Sequence, residues 1–153
     1  MNIRTAIQTA INLEKVKNVQ LAERLGIKEP SAHELINGNK NLTSKTVISI
    51  LDAIGWNLIA SNDSGKCVII DGIQTTITDA VKEAMSDSGT TTKELAVCLG
   101  VRQATICNSL NRTDNLIVNR AAIMFDETGW HLSIVPKNSN SPFTPITINP
   151  ETE

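Results

Sequence analysis

Displaced along itself by about 74 residues, the sequence falls back into register without a gap. Ile3, Ala6 and Ala10 land on Ile77, Ala80 and Ala84. Leu21, Ala22, Leu25 and Gly26 land on Leu95, Ala96, Leu99 and Gly100. Asn37, Asn41 and Leu42 fall on Asn111, Asn115 and Leu116, and Asp52, Gly55, Trp56 and Leu58 fall on Asp126, Gly129, Trp130 and Leu132. The chain has only two tryptophans, and both stand in a Gly-Trp-X-Leu string, so coincidence is a poor explanation. The sequence therefore predicts two copies of one unit, residues 1–72 and 73–153, with the boundary near Asp71-Gly72.

Within the first copy, Ile3, Ala6, Ile7, Ala10 and Ile11 follow helical spacing. Asn18 suits the N-cap of a short second helix that Gly26 stops. A third helix opens near Glu29-Pro30, where proline fits the first turn, and ends at Asn37-Gly38. Thr43 or Ser44 caps a fourth, closed by Gly55. The period then changes: Trp56–Ala60, a turn over Ser61–Gly65, and Cys67–Ile70 predict a β-hairpin. In the second copy the same reading gives helices near 75–88, 92–99, 103–111 and 117–128, a strand from His131 to Val135 and another at Phe143–Ile148. The tail from Ser139 to Glu153 either completes a sheet or hangs free. The expected class is mainly α, each copy being about four helices followed by a hairpin. A lone hairpin is marginal in water, so the two are expected to pair into one small sheet.

Composition limits the function classes. With two Phe, two Trp and no Tyr, the core must be aliphatic. No apolar run approaches the roughly 20 residues of a membrane span, and the amphipathic N-terminus lacks a signal peptide's apolar stretch. A cytoplasmic protein is expected. Cys67, Cys98 and Cys107 are odd in number and lack CxxC spacing, so they read as buried or half-buried reduced thiols. The net charge of −2 does not advertise a nucleic-acid partner. It is uneven, roughly +1 over 1–72 and about −3 over 73–153.

The string Gln20-Leu21-Ala22-Glu23-Arg24-Leu25-Gly26-Ile27, followed by Lys28 to Gly38, resembles the lambda-repressor-like (XRE-type) helix-turn-helix family. So does its counterpart, Glu94 to Val101 followed by Arg102 to Asn111. Two short helices that cross steeply need a small residue at their contact (Ala22, Ala96). Their turn needs glycine (Gly26, Gly100) and an aliphatic plug (Ile27, Val101). The strands after the last helix are similar to those of HipB-like antitoxin regulators, which pair across a dimer. That resemblance implies either a homodimer or an intrachain pseudo-dimer.

The family resemblance also implies which residues meet DNA. The third helix enters the major groove, which places Lys28, Glu29, Pro30 and Glu34 in the first copy at base edges, and Arg102, Gln103, Ala104 and Asn108 in the second, with Thr105 also among the DNA-binding residues. Arg suits guanine, and Gln or Asn suits adenine; Glu29 and Glu34 can accept from cytosine amines but are repelled by phosphate. Backbone contacts are implied for Asn18, Thr92, Asn39, Lys40, Lys45, Arg112 and Arg120.

No catalytic constellation, glycine-rich phosphate loop, cofactor site or metal-ligand spacing stands out. His33 and His131 are isolated, and Trp56 and Trp130 read as packing residues. The expected function is sequence-specific binding of double-stranded DNA as a transcriptional regulator, a repressor of phage or bacterial type, and not an enzyme. The rival is a protein-interaction module on the same fold, antitoxin-like, adaptor or inhibitor, which the two glutamates of the third helix favour.

Overall fold

The computed structural model describes residues 1–112 and 115–150, with only the backbone of Arg112. Eight helices and one four-stranded antiparallel sheet form among the described residues. The order is α1 (Ile3–Leu13), α2 (Asn18–Leu25), α3 (Glu29–Asn37), α4 (Ser44–Ile54), β1 (Trp56–Asn62) and β2 (Cys67–Ile70). Then come α5 (Ile77–Ser88), α6 (Thr92–Leu99), α7 (Gln103–Arg112), α8 (Val118–Thr128), β3 (Trp130–Pro136) and β4 (Ile146–Ile148).

Local chemistry explains most boundaries. Thr76 accepts from the Asp79 amide to open α5, and Thr91 with Glu94 forms a reciprocal capping box on α6. Gly55 and Gly129 close α4 and α8 in the left-handed conformation, at φ 79° and 80°. Gly38 is glycine for a different reason: its φ is an ordinary −76°, but a Cβ there would strike the backbone oxygen of Glu34.

The sheet runs β2-β1-β3-β4, so the two hairpins do pair. Their central register is self-reciprocal. Trp56 lies opposite Pro136, Asn62 opposite Trp130, and at the centre Ile59 faces Ser133, its own counterpart at the 74-residue offset. A second such point lies ahead of α4 and α8. Thr43 bridges Ile117, again its own counterpart, through Ser44 N–H donating to Leu116 O (2.8 Å) and Val118 N–H donating to Leu42 O (2.9 Å). Each of these two contacts pairs a residue with its own counterpart, the pattern of a local two-fold axis between the halves, and the same 74-residue offset matches α3 with α7.

One core runs through both halves, from Ile3, Ala6 and Ile7 to Val81, Phe125 and Ile148. The halves are interleaved, because α1 packs on β4 and α5 on β2. Trp56 and Trp130 are buried in this core. Trp56 donates from Nε1 to Glu14 Oε1 at 2.9 Å and stacks on Phe143, with ring centroids 6.4 Å apart. Among the described residues Trp130 Nε1 meets no acceptor at hydrogen-bond geometry, although Asp87 is close enough for the indole to help hold that carboxyl down. The Lys66–Asp87 ion pair, Lys137 Nζ to Asp52 Oδ1 (2.7 Å) and Lys137 N–H to Gly55 O (2.9 Å) add polar ties between the halves.

Several expectations need correction. Asn18 is the first residue of α2 and Lys17 holds the cap position. β1 runs two residues past Ala60, carried by its pairing with β3. β3 starts at Trp130 and ends at Pro136 for the same reason. β4 covers Ile146–Ile148 and not the stretch from Phe143, because Pro145 has no N–H to give a ladder; Phe143 turns onto Trp56 instead. Cys67 and Cys98 are exposed, and only Cys107 is half-buried. Cys67 starts an edge strand, and Cys98 sits beside exposed Val97 on the face of α6 away from buried Leu95 and Ala96.

Candidate nucleic-acid interface

The α2–α3 and α6–α7 corners are built alike. Gly26 (φ 69°, ψ 30°) and Gly100 (φ 68°, ψ 31°) both take the left-handed conformation that reverses the chain after the shorter helix. The next residue returns to the helix in each case, Ile27 N–H to Ala22 O and Val101 N–H to Ala96 O, both at 3.0 Å. Ala22 and Ala96 are buried, and a larger side chain there would push the helices apart. Val101 packs on the core. Ile27, expected as a plug, is 36% exposed, because its neighbours toward the α3–α4 groove include the small polar Ser31 and Thr46, which do not cover it.

On this common frame the two outward helices differ in chemistry. Lys28, Glu29, Pro30, Ser31 and Glu34 are exposed along α3. Arg102, Gln103, Ala104, Thr105 and Asn108 are exposed along α7. Gln103 is positioned: its Nε2 donates to Thr92 Oγ1 at 2.9 Å, tying the first residue of α7 to the first residue of α6. In the other half Asn18, the first residue of α2, contacts His33 Nδ1 at 3.3 Å instead, so Glu29 is not held in this way. Lys40, Lys45 and Asn39 are exposed near the Thr43–Ile117 bridge, and Arg120 is half-buried on α8. Arg112 ends α7, and its expected phosphate contact lies outside the described residues.

Two residues that sequence reasoning did not single out organise the region around the axis. Arg4 donates to the carbonyls of Leu35 and Lys40 and so clamps the loop between α3 and α4. The signal was its solitude: its counterpart at the repeat offset is Thr78, which is buried. Asn115 Oδ1 accepts from Lys45 N–H at 2.9 Å and lies 3.3 Å from Ser44 Oγ. It thereby caps α4 from the opposite half, where the N-cap residue Thr43 makes no side-chain cap of its own. The identity of Asn41 and Asn115 was visible in the repeat, but their place beside the axis was not.

A cleft of about 580 Å³ opens against α3, walled by Ile27, Pro30, Leu35 and Leu42 with Arg4, Glu34 and Lys40 at its margin. Among the described residues, no three His, Cys, Asp or Glu side chains converge as a metal site would need, and no helix is long and apolar enough to cross a membrane. His33 and His131 are both exposed; His131 lies 3.6 Å from Asp126. No family model matches the chain, and no curated protein or solved structure matches it significantly.

Proposed function

We propose that this chain is a sequence-specific DNA-binding regulator of the cytoplasm, built as a tandem pair of lambda-repressor-like helix-turn-helix units whose HipB-like strands join in an intrachain pseudo-dimer. One chain then presents α3 and α7 to neighbouring major grooves about one helical turn apart, the geometry that a helix-turn-helix homodimer achieves with two chains. The observation that carries this reading is the pair of self-equivalent contacts, Thr43–Ile117 and Ile59–Ser133, the pairing that a two-fold relation between the two glycine-hinged corners would give. The exposed Arg102, Gln103 and Asn108 supply donors and acceptors suited to guanine and adenine edges.

The test is titration of the full chain with duplex DNA at several salt concentrations. Affinity should fall as salt rises, since phosphate contacts release counterions. Replacing Arg102 or Gln103 with Ala should cost about 1–3 kcal/mol for each base edge no longer read. Absence of duplex binding at low salt would remove the reading.

A second reading is favoured by a separate observation. The α3 surface combines Glu29 and Glu34 with a part-exposed Ile27 over an apolar cleft, a composition that suits a protein partner better than phosphate. Binding of a protein and no duplex would mark an antitoxin-like, adaptor or inhibitor role on the same frame.

A further inference from the structure

Resting on the DNA reading above, we propose that the target is a single asymmetric duplex site, with a cytosine-contacting half under α3 and a purine-contacting half under α7. A homodimer places identical side chains on both halves of its site, and its preferred sequence mirrors that symmetry. Here the axis relates unlike side chains. Lys28, Glu29 and Glu34 exchange with Arg102, Gln103 and Asn108.

The base preferences follow from what each group can do. An ionised carboxylate only accepts. In the major groove cytosine shows an amine donor, guanine shows acceptors, and adenine shows one of each. Glu29 and Glu34 therefore favour a cytosine and penalise a guanine beneath them, while the neighbouring Lys28 offsets their repulsion by phosphate. Arg102 only donates and selects guanine; Gln103 and Asn108 do both and select adenine. Thr92 engages Gln103 through Nε2, leaving its Oε1 and second N–H for a base. Because the halves differ, the chain binds the duplex in one orientation, and each strand of the site has its own identity. A regulator of this kind carries a direction that a palindrome reader lacks.

The experiment is selection of the full chain against a pool of random duplexes, followed by titration of the enriched sequence and its rearrangements. The expected consensus is non-palindromic. Duplexes carrying either half twice should bind more weakly than the asymmetric one, by about 5- to 150-fold for each mismatched base pair. The variant E29Q/E34Q should alter the selected bases in one half only, and R102A in the other half only. These side chains are exposed, so folding is not at risk. A palindromic consensus, or a duplex with two α7 halves binding as well as the asymmetric one, would overturn the proposal while leaving DNA binding intact. No enriched duplex at low salt would overturn both.

Discussion

The two halves of this chain share a skeleton and differ in what they show to solvent. Most positions that fold the corner or fill the core are the same or exchange one aliphatic for another, as Gly26 with Gly100, Ala22 with Ala96 and Ile7 with Val81 do; Leu51 with Phe125 and Ile54 with Thr128 depart from this. Positions facing outward on α3 and α7 have parted, glutamate standing where the second half has glutamine and asparagine. The packing constraint is common to both copies because both bury the same faces in one core. The surface carries no such constraint. Folding therefore tells little about which helix binds what, and the outward residues must be read by their chemistry.

If the skeleton is shared, equivalent core positions should respond alike. Trp56→Ala and Trp130→Ala should each destabilise by about 3–5 kcal/mol, since each empties a fully buried indole site. Denaturant unfolding checks this, and a large loss at one site only would break the comparison at its root. If the surfaces have diverged, the reading helices should respond unalike. Arg102→Ala should lose about 1–3 kcal/mol of duplex affinity, whereas Glu34→Ala, which gives up a cytosine contact together with a charge repelled by phosphate, should lose less and mainly relax the base choice under α3.

The hinge glycines come next. Gly26→Ala and Gly100→Ala should cost about 1–2 kcal/mol each, the penalty of an L-residue in the left-handed region. Neither site has a neighbour within 4 Å of the added Cβ, so strain alone should set the cost. Asn115→Ala should cost about 1 kcal/mol by uncapping α4 across the axis; thermal unfolding would show it. An unchanged midpoint would mean that water replaces the cap.

How much of this was legible in the sequence depends on range. Helix boundaries came from local signals such as Pro30, the Thr43-Ser44 pair and the glycine stops at Gly26, Gly38 and Gly55, and they fall within a residue or two of those expected. The pairing of hairpins followed from the weakness of a lone hairpin. Contacts between the halves were not legible, because sequence periodicity says nothing about register across a symmetry axis. Asn115 on α4 and Phe143 on Trp56 both fall in that class. Ile27 was misjudged because its exposure depends on the size of Ser31 and Thr46, which only the groove reveals.

The smallest expected effect is electrostatic. Lys66, hydrogen-bonded to Asp87, holds that carboxyl below the usual range, and Asp87 raises the Lys66 ammonium. Asp71 is lowered by the backbone N–H groups of Thr75 and Ile73 first, and of Gln74 further down. A depressed carboxyl stabilises the fold above its unfolded pKa near 4, and that contribution fades as pH falls through the lower folded value. The raised ammonium contributes below about 10.4 and fades as pH rises through the higher folded value. Asp71→Asn should therefore flatten only the acid limb of a stability–pH curve, whereas Asp87→Asn, which unlinks the halves, should flatten both limbs. All three groups lie at the surface, and salt should weaken both effects.

The claim on which the rest depends is that one chain offers two reading helices to one duplex. A backbone-cleavage footprint of the full chain, at a stoichiometry fixed by sedimentation, tests it directly. The expected result is two protected stretches about 10 base pairs apart on a duplex carrying a single chain. A single protected stretch, or a second one that appears only when another chain binds, would contradict it.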